Sequence, residues 1–224
     1  MITPNLPTDN KNIDEFTGLG YNEKTMFNNK ANTIIGIQGG QGSFNEQAAK
    51  IWAASNEETI VNPKIEYLYT SENVMRALEA GEIDLGTCAL HNAIGGIVDE
   101  SIHALAEHRV KVAAKLAIEI THSLMKKKGV ELGAINTIYA HPQVFAQCRQ
   151  NLATNYPDLS LVSGEGDMID TAVAAKALAE GKLPDSVAIL GPEILADLYD
   201  FDVVIRNQQD QKNNFTTFLI LSRS

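Results

Sequence analysis

Asn214, Thr216 and Phe218 alternate along Asn213–Phe218, just ahead of the apolar run Leu219–Leu221. In a strand these three side chains share one face. A Thr hydroxyl is a weak acid, yet a well-placed one can assist a departing hydroxide; it can equally be an ordinary edge-strand residue. His91-Asn92-Ala93-Ile94-Gly95-Gly96 follows an apolar run. His91 could donate to a carboxylate or titrate near neutrality, or face solvent from a loop. Gly39-Gly40-Gln41-Gly42-Ser43 is a turn whose glycines would let the backbone approach an anion. The same composition makes a plain tight turn, and it is neither a P-loop nor a full dinucleotide fingerprint. His141-Pro142-Gln143 offers backbone N–H groups at a helix start, or only a turn with Pro at the first helical position. Asp170-Thr171-Ala172 opens another helix, with Asp170 or the residue before it as N-cap and the Thr171 hydroxyl free for a ligand; a cap alone is the plainer alternative. No Ser–His–Asp order, Cys–His pair or zinc-like spacing stands out, so no metal is expected.

The elements that must hold these residues read as α/β. Thr33–Gln38 is a short apolar strand. Ser43 with Glu46 three residues on forms a capping box for the helix that follows. Ile65–Tyr69 is a second strand, Ser71 caps a second helix that Gly81 ends, and Leu85–Leu90 is a third strand. The order then recurs. Asn136-Thr137-Ile138 echoes Asn32-Thr33-Ile34, and Ala177-Leu178-Ala179-Glu180-Gly181 echoes Ala77-Leu78-Glu79-Ala80-Gly81. An offset of about 100 residues in both cases points to two lobes of like topology, each a small sheet flanked by helices. Val110–Thr121 would cross between them, Val203–Arg206 would begin the return, and Phe215–Leu221 would finish as a strand of lobe one. Lobe one is thus expected near 33–111 and 205–224, lobe two near 112–204, with ligand in the cleft between. Residues 1–31, rich in Asn, Thr, Lys and Asp without an apolar period, read as a flexible arm.

The whole chain has 224 residues and a formal net charge of −10. No basic block stands out beyond Lys126–Lys128, which argues against nucleic acid as the main partner. No stretch approaches the roughly 20 apolar residues of a membrane span. No basic start followed by an apolar core suggests a secretory signal. With only Cys88 and Cys148, a reduced, cytoplasmic protein is expected.

Gly39-x-x-Gly42-Ser43-Phe44, Asn92-x-x-x-Gly96, His141-Pro142-Gln143 with Cys148, Asp170-Thr171-Ala172 and Asn214-Phe215-Thr216-x-Phe218, in this order, resemble the catalytic domain of prephenate dehydratases over roughly residues 33–223. The resemblance implies a two-lobed, type II periplasmic-binding-protein-like α/β fold with its active site in the inter-lobe cleft. It implies a cofactor-free lyase, in a homodimer, that converts prephenate to phenylpyruvate for phenylalanine biosynthesis. It puts the family's essential Thr on Thr216. Prephenate's two carboxylates are expected at the Gly39–Ser43 and Asp170–Ala172 turns, with Asn92, Ala93, Asn214, Thr217 and Phe218 in the substrate site and His91 as proton donor or carboxylate partner.

Three departures matter. The family's Glu-Asn-Ser reads His91-Asn92-Ala93, the Arg of its Thr-Arg-Phe reads Thr217, and its Gly-Pro opening reads Gly39-Gly40. Neither a regulatory ACT domain nor a fused chorismate mutase is expected. Two alternatives stay open. A non-aromatising prephenate decarboxylase would release CO2 but keep the hydroxyl. A non-catalytic module would only bind a small carboxylate. Prephenate and its transaminated form, arogenate, are not distinguished.

Overall fold

A computed structural model of the protein describes residues 30–224. The arm expected over 1–31 lies outside the described residues, except for Lys30–Ala31, the short strand β1. The chain continues through β2 (Ile34–Ile37), α1 (Phe44–Ala54), β3 (Ile60–Val61), β4 (Lys64–Tyr67), α2 (Ser71–Ala80), β5 (Leu85–Asn92), β6 (Gly96–Ile97), α3 (Asp99–Glu107) and β7 (Val110–Glu119). It then enters lobe two with β8 (Ser123–Lys127), β9 (Thr137–Tyr139), α4 (Pro142–Gln147), α5 (Arg149–Asn155), β10 (Ser160–Val162), α6 (Thr171–Ala179), β11 (Val187–Gly191), α7 (Ile194–Tyr199) and β12 (Phe201–Ile205). Strand β13 (Phe215–Arg223) returns to lobe one.

The two main sheets share one plan. In lobe one the order is β4-β2-β5-β13-β7, with β6 paired to β5; in lobe two it is β10-β9-β11-β8-β12. In each, three parallel strands are followed by an antiparallel one that lies after a crossing between lobes. The repeat read from the sequence is this shared plan. Both sheets are covered on two faces. In lobe one, Leu78 and Ala104 meet Leu219 and Leu221 on one side, while Ala49 and Trp52 meet Ile35, Ile37 and Ile220 on the other. In lobe two, Leu178 and Leu195 meet Ile189, while Val144 and Leu152 meet Ile138 and Leu190.

The lobe boundaries differ from expectation. Strand β7 stays in the first sheet to Glu119, paired along its length with β13. The crossing therefore falls at residues 120–122, not near 112. Likewise β12 pairs with β8 in lobe two, and the return runs through residues 206–214. Alternating apolar residues mark a strand; they do not say which sheet it joins. A second shift is at α2. Thr70 is the N-cap, accepting from the Asn73 N–H, and Ser71 is the first helical residue, its hydroxyl 2.8 Å from that of Ser101.

The three lysines of the basic run are each paired, Lys126 with Asp202, Lys127 with Asp185 and Lys128 with Asp200. Among the described residues no helix is long and apolar enough to cross a membrane.

Candidate active site

Strand alternation builds the centre of the site. Asn214, just before β13, and Thr216 and Phe218 within it are buried, at 0, 6 and 1% exposure, on the face that also carries Ile220. Across the ladder Thr216 is paired with Asn92 and Phe218 with Ala89. Leu90 is skipped in that register, a β-bulge in β5. The bulge lets Asn92 and Ala89, three positions apart, face the same way. Asn92 is therefore a buried strand residue and not part of a loop.

Asn92 is the hub. Its Nδ2 donates to the Thr216 hydroxyl at 2.9 Å and to Asn214 Oδ1 at 2.6 Å. Its Oδ1 accepts from the Ile94 and Gly95 N–H groups at 2.9 and 2.6 Å, which fixes the orientation of the amide. Because Thr216 Oγ accepts from Asn92, its own proton remains available to donate. The accepted bond polarises that O–H and strengthens it as a donor.

A cavity of about 130 Å³ lies between the lobes, walled by Thr216, Asn92, Ser43, Asp170, Thr171, Ala172 and Phe218 among the expected residues. Apolar walls come from Phe44, Ala89, Val98, Ile120 and Val144. No Lys or Arg lines it. Ser43 Oγ accepts from the Glu46 N–H at 3.3 Å and Thr171 Oγ from the His141 N–H at 2.9 Å. Like Thr216, each keeps an O–H to donate. His141 Nδ1 accepts from the Gln143 N–H, which leaves the ring proton on Nε2. Burial holds the His141 imidazole down at about 4, so it is neutral at pH 7. Thr216, Ser43, Thr171 and His141 are thus four of the cavity's neutral donors.

The backbone N–H groups expected to hold substrate carboxylates are occupied otherwise. Asp170 Oδ1 accepts from Ala172 N, Val173 N and, across the cleft, Gly40 N at 2.9, 3.0 and 3.3 Å. Gly42 N donates to Glu46 Oε2 at 2.6 Å. Burial raises the Asp170 carboxyl above its ordinary range, against the pull of those three donors. The glycines serve the approach of lobe two. Gly39, at φ +95°, would put a Cβ 2.7 Å from Asp170 Oδ2, and Gly42, at φ +87°, would put one 2.7 Å from Leu195.

His91 and Thr217 stand elsewhere. They pair with each other across β5 and β13, on the face turned away from Thr216, and neither lines the cavity. His91 is exposed, as is Ala93. The expectation that His91 delivers a proton or meets a carboxylate in the cleft is therefore corrected by strand alternation. Gly39, Gly40, Gly42 and Asn214 stand behind the cavity wall.

Sequence reasoning did not find His122, Gln147, Glu100, Asn45 or Tyr69, all of which line the cavity. His122 sits in the crossing just after the β7 segment, where the apolar alternation drew attention and the single histidine did not. Gln147 immediately precedes Cys148 on α4, a neighbour of a motif already noticed. Tyr69 has no sequence signal; its φ of +66° is unusual for a residue with a side chain.

The prephenate dehydratase family model matches residues 35–224. The bifunctional chorismate mutase/prephenate dehydratase of Escherichia coli K12 is 29% identical over 189 residues, 84% of this chain and 47% of that protein. The chain thus spans about half the length of the curated relatives it matches. Prephenate dehydratase from Arthrobacter aurescens, solved in complex with L-Phe, superposes with a TM-score of 0.71 at 24% identity, covering 86% of this chain and 61% of that one. A methionine-binding lipoprotein of Bacillus subtilis shares the two-lobed architecture at a TM-score of 0.51 and 15% identity, covering 88% and 85%. The fold is the type II periplasmic-binding-protein-like one, and the chain belongs to the prephenate dehydratase family.

Proposed function

We propose that this domain is a cofactor-free lyase that converts prephenate to phenylpyruvate, CO2 and water, in the biosynthesis of phenylalanine. One observation carries the choice: the Thr216 hydroxyl is held by Asn92 so that its own proton points to no protein acceptor among the described residues. In the reaction the C–C bond to the ring carboxylate breaks, its electron pair enters the ring, and the C–O bond to the hydroxyl breaks. The departing oxygen leaves as water, with one proton taken up overall. Thr216 donates to that oxygen as its charge develops. The other three donors, Ser43, Thr171 and His141, suit the side-chain carboxylate. The ring carboxylate meets no cation in an apolar-walled cavity, so charge that leaves it as CO2 forms forfeits no ion pair. The altered positions His91, Ala93 and Thr217 lie outside the cavity. These departures therefore give no reason to prefer the decarboxylase that keeps the hydroxyl. A homodimer, taken from the family resemblance, and a cytoplasmic location, taken from the two cysteines, complete the proposal.

Thr216→Ala tests it. Turnover of prephenate is expected to fall by about 10²-fold or more, within the range for a lost acid–base group. Thr216→Ser, which keeps the hydroxyl, is expected to recover much of it. Near-wild-type turnover in Thr216→Ala would remove Thr216 from the mechanism.

A further inference from the structure

Behind Asn92 the hydrogen bonds continue into lobe two. Asn214 Nδ2 donates to Gln147 Oε1 at 2.7 Å, and His122 Nε2 lies 2.8 Å from the same oxygen. A carboxamide oxygen only accepts, so His122 carries its proton on Nε2 and donates. Its Nδ1 is then a bare lone pair. His122 is 1% exposed, lies on the cavity wall, and its Nδ1 has no hydrogen-bond partner. The ring cannot turn over to use Nδ1 instead, because Gln147 and the edge contact with Phe44 fix it, ring centroids 5.5 Å apart. A buried acceptor left unpaired is destabilising unless a ligand supplies the donor.

We propose that His122 is a further substrate-binding residue, whose Nδ1 accepts a hydrogen bond from the ring hydroxyl of the substrate. It rests on the function proposed above. The hydroxyl is then held twice: its oxygen accepts from Thr216 and its proton goes to His122. The two residues are the ends of one relay, Thr216–Asn92–Asn214–Gln147–His122, that crosses from lobe one to lobe two. Burial keeps the imidazole down at about 4, so it stays an acceptor throughout the neutral range.

His122→Gln separates the two nitrogens. A Gln amide reaches the Nε2 position and can still donate to Gln147, but places nothing where Nδ1 was. His122→Asn does the reverse, with an amide oxygen near the Nδ1 position. The readouts are kcat/KM for prephenate and the inhibition constant of phenylpyruvate, which has no ring hydroxyl. For His122→Gln the first is expected to fall about 10- to 100-fold, as for one lost buried hydrogen bond. The second should stay within about twofold, and His122→Asn should recover part of the loss. A parallel measurement needs no substitution at His122. The ¹⁵N resonance of its Nδ1 should shift when prephenate is added to the slow Thr216→Ala protein, and not when phenylpyruvate is added. Equal losses for both ligands, an unchanged kcat/KM, or the same ¹⁵N shift with phenylpyruvate would overturn the assignment. A wild-type protein that leaves prephenate unchanged would overturn the parent reading, and this one with it.

Discussion

At the scale of single residues, two of the three departures from the family pattern are one event. His91 and Thr217 face each other across β5 and β13. The resemblance read from the sequence puts a Glu and an Arg, of opposite charge, at those two positions. Both charges are replaced here together, outside the cavity. Thr217→Arg alone is therefore expected to leave turnover unchanged, because it restores a guanidinium on the wrong face of the strand. A double-mutant cycle of His91→Glu and Thr217→Arg, read by denaturant unfolding, should show a favourable coupling of about 0.2–1 kcal/mol, the usual size of a cross-strand pair. A large gain in turnover from Thr217→Arg would mean that the residue reaches substrate. The shared face of Asn214, Thr216 and Phe218 was readable from spacing alone, because a strand has a period of two. The face of Asn92 was not, since the bulge at Leu90 breaks that period and nothing in Leu85–Asn92 announces it.

At the scale of elements, the helix starts were legible as caps, but the backbone N–H groups of Gly40, Gly42 and Ala172 turn to protein carboxylates. Ser43 caps α1 and Asp170 caps α6, as their residue types predict. What spacing could not reveal is that the cap of α6 also accepts from Gly40 in the other lobe. The capping box likewise closes one residue early, with Glu46 reaching Gly42 N–H while Ser43 N–H goes to Gly40 O. Asp170 then sets a pH dependence. Its carboxyl is raised in the folded protein, so the neutral form is favoured on folding. The stability this gives is present below the unfolded pKa and lost as pH rises through the folded one. Asp170→Asn keeps a cap oxygen without the charge. Its stability relative to wild type is expected to improve from pH 4 to pH 7. Asp170→Ala leaves three N–H groups without their cap and should cost about 1–2 kcal/mol at both pH values. Denaturant melts at the two pH values check this. An Asn variant that loses ground toward pH 7 would show that the three donors outweigh burial.

At the scale of the whole molecule, the internal repeat announced two like lobes, and the matching strand orders bear this out. The crossings were placed less well, because strand pairing is a long-range choice that local alternation does not encode. Those crossings matter for function. The first carries His122, and the second leads into Asn214. The cavity is therefore completed by both lobes and by the segments that join them, with Gln147 and Asp170 from lobe two meeting Asn214 and Gly40 from lobe one. A site assembled this way excludes water when the lobes close, which strengthens each of its neutral hydrogen bonds. The most direct test of the whole account is the identity of the product. Purified protein is incubated with prephenate near neutral pH, and the products are followed by absorbance and mass. Phenylpyruvate formed well above the spontaneous rate is the predicted result. A product that has lost CO2 but kept its hydroxyl, or prephenate left unchanged, would contradict it.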